Sequence, residues 1–360
     1  MQKKRAVTRL GRLLLLLLAA ALLCAFVACH RGSDVPLSPG LKMIEGEPVH
    51  DDKVAMRTDH FTVTPAMMAF FFYDYGGELM AVMEEQKKFD PEKTLHDQLF
   101  TEELSWYDVM MNETLAKVSE MLIYCEAARD EGVSLTATQL AAIEDEISAL
   151  AMQAAGYYGM TVDEYLQGLY GPRMNADALR EVLKLELLAT SYSSTVSQRL
   201  EQGITEKDIE DCAAAKGLTD KTPSRHIAYV LIPYVNGKAN DSKVNEVLSA
   251  LDAAPRQETL QGYASAGTVG VEEHMTPENT GVPGIKEWLF AADRRVGDHG
   301  RAEVGEYTYV LLYTGNGMSY AHVSARMHLY DTAYANWYNG WVEALHFGYN
   351  YDVIDSYDIS

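Results

Sequence analysis

Residues 225–233 read Arg-His-Ile-Ala-Tyr-Val-Leu-Ile-Pro. A run of β-branched and aromatic residues, stopped by a proline, predicts a β-strand over Arg225–Ile232. This strand decides the fold, because nearly everything before it reads as helix. Val54–Thr58 and Phe61–Val63 look like short strands around Asp59-His60. Thr64-Pro65 then sets a capping residue before a proline at the first helical position, opening a helix over 66–83. Leu115, Val118, Leu122 and Cys125, at spacings of 3, 4 and 3, form one apolar face of a helix from about Leu104 to Ala128. Thr136 opens the next, to Ala154. Thr161-Val162-Asp163-Glu164 is a capping box. Asn175 caps a long helix to about Leu200, and Thr205 starts another that stops at Gly217.

Downstream of the strand, residues 241–254 form a helix with Val244, Val247, Leu248 and Leu251 on one side. Residues 262–284 are rich in Gly and Thr and lack periodicity. Ile285–Ala292 is a short helix, Glu306–Tyr313 an apolar strand, and Gly315-Asn316-Gly317 a closing turn. Helix then returns: Val323, Met327, Tyr330, Tyr334, Trp337, Trp341 and Leu345 make an amphipathic stripe, read as core. Tyr351–Ile354 is a candidate last strand, to pair with 54–63. The chain is therefore α+β, a mainly helical domain interrupted by a small α/β insert. The segments are 53–220 (helical), 223–317 (insert) and 318–360 (helix and strand rejoining the first domain).

The other end of the chain gives an address. Lys3, Lys4, Arg5, Arg9 and Arg12 precede an apolar run, Leu13–Ala28, and then Cys29. This is the layout of a secretory signal peptide over 1–28. The cysteine at the cut marks a lipoprotein, with Cys29 as the lipidation site. Cys24 is a rival, but Leu22 and Leu23 before it are large where small residues are wanted. An uncleaved anchor is the other reading, although sixteen apolar residues fall short of the roughly 20 that a span needs. Residues 29–52, with Pro36, Pro39 and Pro48, read as a lipid-anchored flexible tether. The body would lie at the extracytoplasmic face of the cell membrane.

Composition excludes several functions. Removing the five leader cations takes the net charge from −22 to −27, which argues against nucleic acid as a partner. Cys125 and Cys212 lie 87 residues apart and read as free thiols rather than a disulfide framework. There is no HExxH and no tight histidine pair, so no metal site is expected. Serine-hydrolase, Walker and dinucleotide motifs are absent as well.

Several segments then carry a likeness in order. They are Phe61-Thr62-Val63-Thr64 with its aromatic helix; Glu126-Ala127-Ala128 with Gly132-Val133 and Thr136–Ile147; Asp163–Leu166, Tyr170-Gly171 and Ala178–Leu188; Thr205–Ile209; Ser224–Ile227; and Trp337–Ile354. Together, over most of 54–355, they resemble the SurA/PrsA group of extracytoplasmic foldases. The resemblance implies a helical chaperone domain, a parvulin-type prolyl isomerase domain over 223–317, and unfolded or nascent secreted polypeptides as partners.

Isomerase chemistry needs no cofactor. Rotation about X–Pro meets a barrier of ~18–20 kcal/mol, and a catalyst has to favour the twisted amide over the planar one. The family does this with two inward histidines, a nearby Cys or Asp, and a pocket of Met and Phe. Carried over by position, His226 matches the first histidine and Phe290 the aromatic of the short helix. Thr308 falls where the second histidine would be. The Cys/Asp position falls near Thr268 or Val269, and the pocket Met and Phe near Gly281 and Ile285. The catalytic set is incomplete. His226 is either catalytic, with the Thr308 hydroxyl as partner, or a buried strand histidine bonded to a neighbour. The expected substrate-binding residues are Phe290, Ile285, Met67 and Phe71. The last two lie on a helix rich in Met and Phe that reads either as an adaptable client surface or as core. The alternative function is a non-catalytic envelope lipoprotein that binds one folded partner.

Overall fold

The computed structural model describes residues 44–84, 89–90 and 93–357. The leader, Cys29 and most of the tether lie outside the described residues, as do the side chains of Met80 and Met83. The fold is α+β, and the chain divides into two units. One holds described residues 44–199 and 334–357, the other 200–333.

The first unit is built on helices α1 (Pro65–Glu84), α2 (Trp106–Asp130), α3 (Ala137–Gln153), α4 (Val162–Tyr170) and most of α5 (Ala176–Gln202). Thr136 and Thr161 each accept from the backbone three residues on and receive Gln139 and Glu164 in return, so both predicted starts form capping boxes. The sequence predicts one apolar face for α2, yet it is buried nearly all round, including Met110, Val118, Ile123 and Ala127. It is the central helix, and the small Ala116, Ser119 and Ala128 let neighbours approach its other sides.

A small sheet joins both ends of this unit: β1 (Glu47–Pro48), β8 (Gly348–Tyr349), β2 (Met56–Arg57) and β3 (Thr62–Val63), in that order. β8 runs parallel to β1 and antiparallel to β2. The last strand thus falls just before the predicted Tyr351–Ile354, which is a helical turn, α11. Asn350 caps it by accepting from the Val353 amide. Buried bonds then pin the C-terminal segment, Tyr107 Oη donating to the Ile354 carbonyl at 2.5 Å and Tyr357 Oη to the Pro65 carbonyl at 2.6 Å. Among the described residues no helix is long and apolar enough to cross a membrane.

The second unit contains α6 (Glu206–Ala215), β4 (Pro223–Pro233), α7 (Asp241–Ala253), α8 (Gln257–Gln261), β5 (Thr268–Met275), α9 (Pro283–Leu289), β6 (His299–Val304), β7 (Tyr307–Ser319) and the start of α10 (Tyr320–Ala344). Its sheet has the order β5-β4-β7-β6 and every pair is antiparallel. Alternation along β4 sends Ala228, Val230 and Ile232 to one face, against Val244, Val247 and Leu251 of α7 and Leu260 of α8. Ile227, with Leu311 and Tyr313, packs on the other face against Ile285 and Leu289 of α9.

Two strands escaped the sequence reading. β5 lies in the stretch without periodicity, and β6 precedes the predicted strand. Both are edges, half-solvated, with Glu272, Glu273, Arg301 and Glu303 among their residues. The supposed turn Gly315-Asn316-Gly317 continues β7 instead, because it still pairs with the beginning of β4. Gly267 precedes β5 where a Cβ would lie 2.0 Å from the Leu231 carbonyl oxygen, so only glycine admits the approach.

Candidate functional site

Ser224, Arg225 and His226 open the central strand β4. Register shifts on both sides of this stretch bulge the strand against β5 and β7, and bulges re-aim side chains. The His226 ring meets that of His274, near the end of β5, with centroids 4.8 Å apart and planes at 62°. His274 holds a φ of 55°, a left-handed conformation uncommon for a residue with a Cβ. Asn279 secures it: its Nδ2 donates to the His274 carbonyl at 3.0 Å, and its Oδ1 accepts from the Thr276 amide at 2.7 Å.

Gly317 forms the floor. A Cβ there would stand 2.5 Å from His226 Nε2, 2.5 Å from His274 Nδ1 and 2.6 Å from Ser224 Oγ, so all three atoms converge on bare backbone. The Met318 amide approaches His274 Nδ1 at 3.4 Å, which assigns that nitrogen as acceptor and places the ring proton on Nε2. Burial first, then the neighbouring His226 and Arg326, hold His274 below the ordinary imidazole range, while Glu273 opposes them. His274 is therefore neutral at pH 7. Glu273 Oε1 lies 3.9 Å from His226 Nδ1 and is well exposed. Ser224 is fully buried and donates to the Met318 carbonyl at 2.8 Å, so it is not placed as a nucleophile. Among the described residues no three His, Cys, Asp or Glu side chains are grouped to hold a metal. What remains is a pair of imidazoles able to exchange hydrogen bonds with a neutral polar group such as an amide.

The other predicted site residues go elsewhere. Thr308 pairs with Ile232 across β4–β7, whereas His226 pairs with Gly315. Seven residues of strand separate Thr308 from Gly315, about 23 Å at the usual rise, so Thr308 and His226 are not brought together. The Thr308 hydroxyl is buried without a hydrogen-bond partner. Phe290 stands at the end of α9 with the Arg225 guanidinium 5.3 Å from its ring centre. The same guanidinium lies 5.3 Å from the Tyr313 ring and donates to the Leu289 carbonyl. Arg225 thus fills the slot beside Phe290, and Ile285 is buried beneath in the Ile227 cluster. Met67 and Phe71 are core residues of the first unit, with 3% and 0% exposure. Ile285, Met67 and Phe71, expected from the sequence to contact substrate, thus have their surfaces consumed by packing, and for Met67 and Phe71 the core alternative is the one the structure shows.

His274 is the residue that sequence reasoning missed. It lay in a stretch without periodicity, 48 positions from His226, and only strand pairing brings the two together.

The first unit has its own polar recess of about 300 Å³, lined by Arg57, Asp59, His60 and His346 among others. Glu126 anchors it from α2. This buried carboxylate accepts from Thr58 Oγ1 at 2.6 Å and the His60 amide at 2.8 Å, and it also meets His60 Nδ1 at 2.8 Å. These bonds fasten the β2–β3 hairpin to α2, which is a structural role.

No protein-family model matches the sequence, and no curated protein matches it. Among solved structures, the chain is similar to PrsA from Bacillus subtilis at 17% identity, covering 86% of this chain and 94% of that one, with a TM-score of 0.32. It is also similar to the foldase protein PrsA from Streptococcus pneumoniae str. Canada MDR_19A, at 16% identity, 64% and 79% coverage and a TM-score of 0.23. A third, the foldase protein PrsA from Lactococcus lactis, matches at 8% identity, 81% and 90% coverage and a TM-score of 0.21.

Proposed function

We propose that this chain is an extracytoplasmic foldase, held at the membrane by a lipid on Cys29, that binds unfolded secreted polypeptides and isomerises X–Pro bonds through its second unit. The observation that carries the catalytic half is the His226–His274 pair at the head of the central strand. Prolyl rotation requires no bond to break, so a nucleophile, metal or cofactor is unnecessary. Two adjacent imidazoles meet the requirement differently: one can hold the amide oxygen or nitrogen by a hydrogen bond that is stronger to the twisted amide than to the planar one. On this reading His274 serves as the second imidazole, in place of the histidine that the resemblance aligns with Thr308.

The full chain, reconstituted in nanodiscs, should accelerate the proline-limited refolding of an unfolded client. His226→Ala and His274→Ala should each remove that acceleration while leaving the fold intact by circular dichroism. Acceleration that survives both changes would refute the catalytic half. Suppression of client aggregation tests the chaperone half separately.

One observation favours the second reading, a non-catalytic lipoprotein with one folded partner. Arg225 already occupies the aromatic slot beside Phe290, where the family binds proline. On that reading, His226→Ala changes no rate, and pull-down returns a single folded protein regardless of added unfolded chains.

A further inference from the structure

The corner between α3 and α4 in the first unit is built unlike the other helix ends. Beyond Gln153 the helix widens into a five-residue π-helical turn, Ala154–Tyr158, closed by Gly159 at a φ of 64°. Such turns carry weaker hydrogen-bond geometry than an α-helix and concentrate at functional sites. This one is firmly seated. Ala154 is buried, and Tyr158 stacks on the buried Tyr165 at 5.3 Å. Seating those two residues inward turns their neighbours out: Met152 is 71% exposed, Tyr157 83% and Met160 47%. Two flexible thioethers and a phenol ring thus stand in solvent within nine residues of one another. Methionine adapts its shape to many partners, and tyrosine supplies contact area at low entropy cost.

The charge around the corner selects the occupant. Residues 130–172 hold seven carboxylates and no Lys, Arg or His. Asp145 on α3 and Asp163 and Glu164 at the start of α4 are exposed. Arg180 pairs with Glu144 and Arg199 with Glu131, which neutralises two of the seven. The remaining field is negative, on a chain of net charge −22. A second copy of this chain or an anionic lipid surface would be repelled.

We infer that the Met152–Tyr157–Met160 corner is a docking surface for unfolded polypeptide segments in which apolar residues alternate with Lys or Arg. The apolar side chains take the segment's hydrophobic residues, and the flanking carboxylates take its cations. This rests on the foldase reading and names the class of client, placing recognition on exposed residues rather than on the buried Met67 and Phe71.

The test compares two unfolded peptides of equal hydropathy, one basic and one acidic, each labelled with a fluorophore. Their anisotropy is followed with the full chain in nanodiscs of neutral lipid. The basic peptide should bind at least about tenfold more tightly, and its affinity should fall as salt is raised past 0.1 M, where the screening length is about 10 Å. The triple change Met152→Ser, Tyr157→Ser and Met160→Ser removes only solvent-facing groups and should weaken binding by at least about tenfold. Equal binding of the two peptides, or a triple variant that binds as the parent does, overturns the inference. So does an oligomer that the triple variant abolishes, because the corner would then join copies. If the parent chain suppresses client aggregation and the triple variant does so equally well, the inference fails while the foldase reading stands. If the parent neither binds nor suppresses, both fail.

Discussion

Replacing Gly317 with alanine would drive a methyl group into the histidine pair. The new carbon would lie 2.5 Å from His226 Nε2, 2.5 Å from His274 Nδ1 and 2.6 Å from Ser224 Oγ. Ordinary contacts fall near ~3.5 Å, so each atom has to retreat by about 1 Å. None is free to do so easily. Ser224 is tied to the Met318 carbonyl, and His274 is held in a left-handed conformation by the Asn279 turn. Overpacking of this kind costs about 1–3 kcal/mol. For a unit the size of residues 200–333 that is a fall in Tm of roughly 3–15 °C. Calorimetry reads the loss, and the imidazole C–H resonances of the two histidines should both shift, because the rings must part. Refolding acceleration should be lost with them. An alanine variant with unchanged Tm and unchanged ring resonances would refute the convergence of the three groups on the Gly317 backbone.

Two predictions concern pH and one concerns packing. His274 is held below its ordinary range, so below about pH 6.5 the unfolded chain takes up a proton that the folded chain resists. Stability of the second unit to urea should decline as pH falls from 7 to 5.5, and His274→Gln should flatten that decline. Glu186, pushed up to about 8 by burial and then by Asp74 and Glu146, behaves in the opposite sense. The folded state keeps a proton that the unfolded state releases above its ordinary 4.5, so the first unit should lose stability as pH rises from about 4.5 to 8, and Glu186→Gln should remove that slope. Phe71→Ala should cost about 3–5 kcal/mol in unfolding free energy; client binding lost at unchanged stability would instead return Phe71 to the surface.

Legibility followed locality. Thr136, Thr161 and Thr205 announce their helices because a capping box is written within four residues, and all three form as written. The central strand was equally plain, since over Ala228–Ile232 β4 is buried on one face and half-buried on the other and leaves a nearly continuous apolar run. β5 and β6 carry no such run, because an edge strand wets one side and tolerates charge. The histidine pair was half legible. His226 sits in the readable strand, while its partner depends on a register that no local pattern states. The same register removes Thr308, which stands opposite Ile232. Helix α1 left two readings open, since Met and Phe at an adaptable surface look the same in sequence as Met and Phe in a core. Only burial separated Met67 and Phe71 from Met152 and Met160.

The first unit is assembled from two stretches of chain separated in sequence by the 134 residues 200–333. Bridging a gap of that length costs only about 4 kcal/mol of closure entropy, but it fixes an order of events. A ribosome delivers the N-terminal helices first, yet β1 and β2 wait for β8 to join them, and Tyr107 waits for the carbonyl of Ile354. The intervening residues 200–333 are continuous and have their strand partners at hand as soon as Ser319 has emerged. The part of the molecule made first is thus completed last. A nascent chain halted before Gly348 should carry a closed second unit and an open first one.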